Sequence, residues 1–258
     1  MTPDERGLVC EALSVRVPGR TLVEALSIHV RPGTVLAVLG RNGAGKSSTL
    51  HALAGLNPVA SGAVRIDGRR LAEWPRRALA RRLGLLTQVT EDPFPGTVLD
   101  AVLVGRHPHI DFWQWESATD REIARGALAD VDLAGLDERE IGSLSGGERR
   151  RLAVAAVLAQ DPSIFLLDEP IQQLDPRHQI VVLEICRRLA AAGRSVVMSL
   201  HDAGLASRYA HEALLLFGDG RWMHGPEGDV LRAPNIEQLF GLPVRELAWS
   251  GGRTFVPA

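Results

Sequence analysis

Gly40-Arg41-Asn42-Gly43-Ala44-Gly45-Lys46-Ser47 stands between the apolar run Val35–Leu39 and a helix-like stretch, Ser48–Leu56. It is a G-x-x-x-x-G-K-[ST] loop in the setting its chemistry needs, with a strand before it and a helix after it. The glycines let backbone N–H groups turn inward around a polyphosphate, and the helix N-terminus adds its dipole. Lys46 is expected to reach the β- and γ-phosphates, Ser47 to help hold Mg²⁺, and Ser48 to close the nucleotide-binding segment. A single lysine, Lys46, stands among 29 basic residues. Arginine carries positive charge everywhere else, but its planar fork does not replace a compact ammonium inside a tight loop.

Upstream of the loop, Leu13–Val17 and Leu22–Val30 read as strands separated by Pro18-Gly19, and Arg31-Pro32-Gly33 turns the chain into Val35–Leu39. Downstream come a strand at Val64–Ile66, a short basic helix at Pro75–Arg82 and a buried strand, Leu83–Leu86, followed by Thr87-Gln88. From Val89 to about Asp161 helical segments dominate, with turn-rich stretches at Glu91–Gly96 and Arg106–Trp115 between them. Ser117 is a candidate N-cap for a helix over Ser117–Val131. The α/β pattern then resumes: strand Ile164–Leu167, helix Pro176–Ala192, strand Ser195–Leu200, helix Asp202–Tyr209, strand Ala213–Phe217 and a turn at Gly218-Asp219-Gly220. A small helix, Ile236–Phe240, and a strand-like tail complete the chain.

Strands alternating with helices predict an α/β fold built on a mostly parallel sheet, with ligand at the C-terminal ends of its strands. The expected organisation is one domain over 1–258, with a nucleotide-binding core at 1–88 and 162–225. A helical subdomain at 89–161 interrupts that core, and 226–258 is a C-terminal extension.

At 258 residues, 45% hydrophobic and 23% charged, the composition is that of an ordinary folded protein. A net charge of −2 gives no global reason to expect nucleic acid or an anionic surface as partner. Two cysteines, Cys10 near an irregular start and Cys186 on an apolar helix face, argue for a reducing compartment and against a disulfide scaffold. No apolar run approaches a membrane span, and Met1–Arg6 lacks a signal-peptide pattern, so a cytoplasmic location is expected.

Two further segments carry chemistry. Ile164-Phe165-Leu166-Leu167-Asp168-Glu169 ends a buried strand in two carboxylates, one for a metal and one to orient and deprotonate a water. Leu144-Ser145-Gly146-Gly147-Glu148 opens the helical stretch Arg149–Gln160 with a serine cap and two glycines, a second anion-binding helix start.

With these segments in this order, the sequence resembles the ATP-binding cassette ATPases over nearly its whole length. The resemblance implies a P-loop NTPase core with an N-terminal antiparallel β part and an inserted helical subdomain. It implies ATP hydrolysis with Mg²⁺, and makes Leu144–Glu148 the signature that closes over ATP bound to a second copy. Gln88 matches the glutamine that senses Mg²⁺ and the attacking water, Asp175 the aspartate that communicates across the dimer, and His201 the switch histidine on the γ-phosphate. The implied catalytic set is Glu169, His201, Gln88 and Lys46, with Ser47, Gln88 and Asp168 around the metal.

Two positions depart from the family. Near position 17, where an aromatic usually stacks on adenine, this chain has Arg16-Val17-Pro18, which leaves Val17 with Arg16 or Arg20 to hold the base. Ile171-Gln172-Gln173 stands where a small hydroxyl residue is common at position 171.

Val98–His109, Asp175-Pro176-Arg177-His178-Gln179 and the tail Gly225–Ala258 are similar to the group serving iron–siderophore, haem and cobalamin importers. That resemblance implies a homodimer of ATPase subunits beneath two transmembrane permease subunits on the cytoplasmic face of the inner membrane. A periplasmic or extracellular binding protein would deliver the chelate, and no nucleic acid is involved. Iron or haem is favoured among the cargoes. Other readings are a soluble cassette in translation or repair, a cassette of an importer or exporter with another cargo, and a nucleotide-gated module that barely hydrolyses.

His107-Pro108-His109 is expected to be a rigid surface loop rather than a metal site. Trp113 and Trp115 are expected to cap the helical subdomain, the alternative being an anchor for a membrane partner. Arg149–Arg151 is expected to be a solvated helix face, the alternative being that Arg150 or its neighbours sit near the dimer interface.

Overall fold

The computed structural model describes residues 6–88, 96–111, 113–249 and 252–258. Antiparallel strands β1 (Leu8–Val17) and β2 (Arg20–Val30) lead into β3 (Val35–Gly40), the phosphate loop and α1 (Lys46–Leu53). Then follow β4 (Ser61–Ile66), β5 (Arg69–Arg70), α2 (Arg76–Ala80) and β6 (Leu83–Leu86). Helices α3 (Val98–Leu103), α4 (Ala118–Asp130) and α5 (Gly146–Gln160) come next. The α/β alternation resumes with β7 (Ile164–Leu167), α6 (Pro176–Ala191), β8 (Ser195–Leu200), α7 (Ala203–Tyr209), β9 (Glu212–Leu216) and β10 (Trp222–Pro226). Short helices α8 (Glu227–Val230) and α9 (Ala233–Phe240) lead to a closing hairpin, β11 (Val244–Trp249) and β12 (Gly252–Pro257).

The strands form a six-stranded sheet in the order β10-β9-β3-β8-β7-β6 and an antiparallel sheet in the order β2-β1-β4-β5. Five strands of the larger sheet run parallel, and β10 pairs antiparallel to β9 at its edge. Every residue of β3 is buried, as a parallel strand covered on both faces should be. Alternation divides its side chains: Val35, Ala37 and Leu39 pack toward the helices, while Leu36 and Val38 pack toward α1 and the antiparallel sheet. Phosphate loop, Gln88, Asp168-Glu169 and His201 thus follow β3, β6, β7 and β8, at one edge of a single parallel sheet.

The first strand begins at Leu8 rather than Leu13, so Cys10 is buried in β1 and not in an irregular start. A bulge hides this in the sequence: Ala12 has φ 47°, and the register with β2 shifts between Cys10 and Leu13, breaking the period of two. Both cysteines are free and buried, and burial pushes their thiols up to about 11 at Cys10 and about 12 at Cys186. The helix after the loop starts on Lys46 and ends at Leu53, three residues short of Leu56, because Gly55 turns left-handed at φ 73°. Helix α2 is likewise shorter than the Pro75–Arg82 stretch.

Trp113 and Trp115 are 90% and 89% exposed, so they do not cap the helical subdomain. Helices α3, α4 and α5 pack through residues such as Val102, Leu128 and Ala155, joined by Leu133, Ile141 and Leu144 from the segment between α4 and α5. The turn expected at Glu91–Gly96 lies, apart from Gly96, outside the described residues. Among the described residues no helix is long and apolar enough to cross a membrane.

Candidate functional site

A cavity of about 700 Å³ opens at the C-terminal edge of the parallel strands, and the phosphate loop forms its floor from Asn42 to Ser48. Val17, Arg20 and Leu22 contribute from the antiparallel sheet, and Gln88, Glu169, Gln172 and His201 from the loops after β6, β7 and β8. The loop's path depends on glycine at two points. Gly45 has φ 104°, and a Cβ on Gly40 would meet the Leu216 carbonyl at 2.7 Å.

Lys46 is 5% exposed, and its Nζ donates to the Gly40 carbonyl at 3.0 Å, curling the ammonium back over its own loop. Burial lowers its pKa from the ordinary lysine value, opposed by the carboxylates of Glu169 and Asp168.

The two carboxylates are built differently. Asp168 Oδ1 accepts from Ser199 Oγ at 2.6 Å, and Ser199 Oγ accepts the Glu169 backbone N–H at 2.8 Å. Asp168 Oδ2 is buried without a hydrogen-bond partner among the described residues. A buried, unpartnered carboxylate oxygen is the ligand a hard divalent cation needs, and with the oxygen-bearing Ser47 and Gln88 in the cavity lining the donor set fits Mg²⁺. Glu169 has φ 50°, a left-handed conformation that costs a non-glycine residue about 1 kcal/mol or more. Its Oε1 lies 2.6 Å from His201 Nε2, and its Oε2 accepts from Gln88 Nε2 at 3.2 Å.

The signature segment is absent from the lining of this cavity. Ser145 caps α5 in a reciprocal box: Glu148 N–H donates to Ser145 Oγ at 3.3 Å, and Ser145 N–H donates to Glu148 Oε2 at 2.8 Å. Arg139 holds Glu148 at 3.0 Å, so its side chain belongs to the cap. The first-turn N–H groups of Gly146 and Gly147 lack intrahelical acceptors, as at any helix start. Leu144 is buried. Asp175 also lies outside the cavity, where it caps α6 through His178 N–H at 3.0 Å and meets His178 Nδ1 at 2.7 Å. Arg41 is exposed, while Gly40 and Ala44 are buried within the loop.

The tri-arginine run is not a solvated face. Arg150 and Arg151 are 5% and 9% exposed. Arg151 Nη1 donates to the Val131 and Asp132 carbonyls at 2.8 Å each, closing the end of α4. Arg150 reaches the strand ends: Nη1 donates to the Thr87 and Gln88 carbonyls at 2.7 and 3.3 Å, and Nη2 to Glu169 at 2.8 Å and to Asp168. Helix packing turns these side chains inward, which a run of like charge conceals.

Sequence reasoning also missed Ser199, whose signal was a hydroxyl inside the apolar strand Ser195–Leu200, and Gln172, which lines the cavity. Of the two arginines proposed near the base, Arg20 lines the cavity, its Nε and Nη2 donating to the Gly218 carbonyl at 2.8 and 2.6 Å. Arg16 does not line it. His109 Nε2 meets the Gln160 carbonyl at 2.9 Å, and no metal-binding cluster of three or more His, Cys, Asp or Glu occurs among the described residues.

A family model for ABC transporters matches residues 23–172, more than half of the chain and every site segment from the phosphate loop to Asp168-Glu169. The chain belongs to the ABC transporter family. It is an ATPase cassette, and the resemblance read from its motifs holds. A hemin import ATP-binding protein of Streptomyces coelicolor is 40% identical over 244 residues, covering 94% of this chain and 86% of the relative. One of Pseudomonas aeruginosa is 42% identical over 239 residues, covering 91% and 92%. Among solved structures, an ABC transporter assigned to the metal-chelate type, in an inward-facing conformation, superposes with a TM-score of 0.85 at 30% identity, covering 98% of both chains. A dimeric ATP-binding cassette in a post-hydrolysis state with ADP and phosphate, 22% identical with a TM-score of 0.75 over 86% of this chain and 99% of that one, shares the cassette fold.

Proposed function

We propose that this cassette is the ATP-hydrolysing subunit of an importer of a metal chelate, with haem the favoured cargo. Identity of about 40% across almost the full length of hemin import ATP-binding proteins from two different bacteria carries this reading. Two copies act head to tail beneath two permease subunits at the cytoplasmic face of the membrane, and a binding protein delivers the chelate.

In the reaction, Lys46 and the loop amides hold the β- and γ-phosphates of ATP. Asp168 Oδ2, Ser47 and Gln88 would hold Mg²⁺, which neutralises charge on the phosphate oxygens. Glu169 orients a water in line with the γ-phosphate and takes its proton as the oxygen bonds to phosphorus and the bond to ADP breaks. His201, now on Glu169 Oε1, transfers to the γ-phosphate and leaves that oxygen for the water. Gln88 donates to the other oxygen, Oε2, and would relay changes at the carboxylate to the helices that follow. Ser145 and Gly147 of the second copy complete the site, and Asp175 lies between the two sites. Val17 and Arg20 face the base.

The test is reconstitution with the cognate permease and binding protein, followed by phosphate release. Haem-loaded binding protein is expected to stimulate turnover above the empty protein. Stimulation by cobalamin or a ferric siderophore alone would redirect the cargo, and turnover indifferent to any permease would overturn the transport reading.

A further inference from the structure

Arg150 sits one turn inside α5, behind the signature segment that opens this helix. Its guanidinium is buried, and its donors spread over two adjacent parallel strand ends. One nitrogen serves the carbonyls of Thr87 and Gln88 after β6. The other serves those of Asp168 and Glu169 after β7. Both segments present residues whose side chains act on the γ-phosphate and its water, and the arginine holds their backbones without entering the cavity.

Two observations make this more than a buried ion. Glu169 is left-handed at φ 50°, a conformation that persists only where its surroundings over-determine it. The Ser199 hydroxyl fixes its N–H and the Arg150 fork fixes its carbonyl, so both backbone polar groups of the strained residue are pinned. The second observation is the route. Ser145 caps α5, and Gly146 and Gly147 open it one turn before Arg150, so the signature segment and the arginine lie on one continuous helix.

We propose that Arg150 is a positioning residue for hydrolysis, tying the signature helix to the backbones of Glu169 and Gln88. It sets where the carboxylate and the amide stand when the signature segment is docked, and contributes to turnover rather than to nucleotide affinity. The fork is required because one planar cation bridges two strand ends. A lysine offers the charge but a single point of attachment.

This inference rests on Glu169 acting as the base, so the experiment carries a Glu169→Gln control. ATP binding and steady-state phosphate release are measured on the full chain for wild type, Glu169→Gln, Arg150→Ala and Arg150→Lys, alongside thermal melting. The expected result for Arg150→Ala is a kcat at least tenfold lower with ATP affinity within twofold of wild type, since small misplacements of a catalytic group cost up to about 10²-fold. Guanidinium chloride, at concentrations that leave the fold intact, is expected to restore part of the lost rate where equal sodium chloride does not.

Arg150→Lys is expected to keep the melting point and lose at least threefold in kcat, which decides the matter if Arg150→Ala does not fold. Wild-type kcat in a folded Arg150→Lys would overturn the inference. So would losses that guanidinium does not repair and that follow ATP affinity and melting temperature. Retained turnover in Glu169→Gln would instead overturn the assignment of the base.

Discussion

Glu169 and His201 lie 2.6 Å apart between Oε1 and Nε2, while Gln88 occupies the other carboxylate oxygen at 3.2 Å. Both oxygens that a water would need are therefore engaged before ATP arrives. Glu169→Gln is expected to lower kcat by about 10²-fold or more while ATP still binds. His201→Ala is expected to lower it too, by removing the group proposed to stabilise charge on the γ-phosphate. Phosphate release and retained nucleotide, measured on the same samples, separate loss of chemistry from loss of binding.

Ser199 holds both carboxylate residues through one hydroxyl, donating to Asp168 and accepting from the Glu169 N–H. Replacing it with alanine leaves two buried polar groups without that partner. We expect Ser199→Ala to cost about 1–3 kcal/mol in urea unfolding. Ser199→Thr retains the hydroxyl and is expected to cost less, so the pair distinguishes the hydrogen bonds from the strand's packing.

The face proposed for the base presents Val17 and Arg20 to the cavity, with no phenylalanine, tyrosine or tryptophan among the described residues of its lining, and Arg20 is clamped on the Gly218 carbonyl. A valine and a guanidinium plane accept any purine face. ATP and GTP are expected to give kcat/KM values within about one order of magnitude, a difference of about 1.4 kcal/mol. Val17→Tyr is expected to tighten ATP binding through ring stacking. Strict selectivity for ATP in the wild-type protein would contradict this account.

In the proposed dimer, Ser145–Gly147 of one copy complete the site of the other; they do not line the chain's own cavity. Turnover per subunit is expected to rise with protein concentration and to be sigmoidal in ATP. Rates independent of concentration with a Hill coefficient of one would contradict a two-copy site.

The signature cap also sets a pH limit. Hydrogen bonds from the backbone and hydroxyl of Ser145, with Arg139, hold Glu148 below the ordinary glutamate value of 4.5. A depressed carboxylate stabilises the fold fully above its unfolded pKa and loses that contribution as pH falls through the folded one. Wild type should therefore weaken as pH falls below about 4.5, and Glu148→Gln, which preserves the capping box, should show a shallower acid slope. Urea titrations at a series of pH values measure the difference.

The parallel sheet and the site-bearing strand ends were legible because β3, β7 and β8 are continuous apolar runs bounded by distinctive polar residues. The serine caps of α4 and α5 were equally readable, since capping is a local chemical rule. The early start of β1 was concealed by the bulge at Ala12, which breaks the alternation that sequence reading depends on. Arg150 was concealed for a different reason. Its acceptors are main-chain carbonyls, which every residue possesses, and nothing in the side-chain sequence advertises which of them a buried fork will find.

Lys46 is the only lysine in the chain, and it lies under the loop that holds the phosphates. Apart from the amino terminus, the protein therefore offers acylating reagents one amine. A lysine-specific protease likewise has a single cleavage site, at the Lys46–Ser47 bond in the middle of the phosphate loop. Digestion at that bond is thus a clock for how often the loop opens, with a bound nucleotide as the hand that stops it.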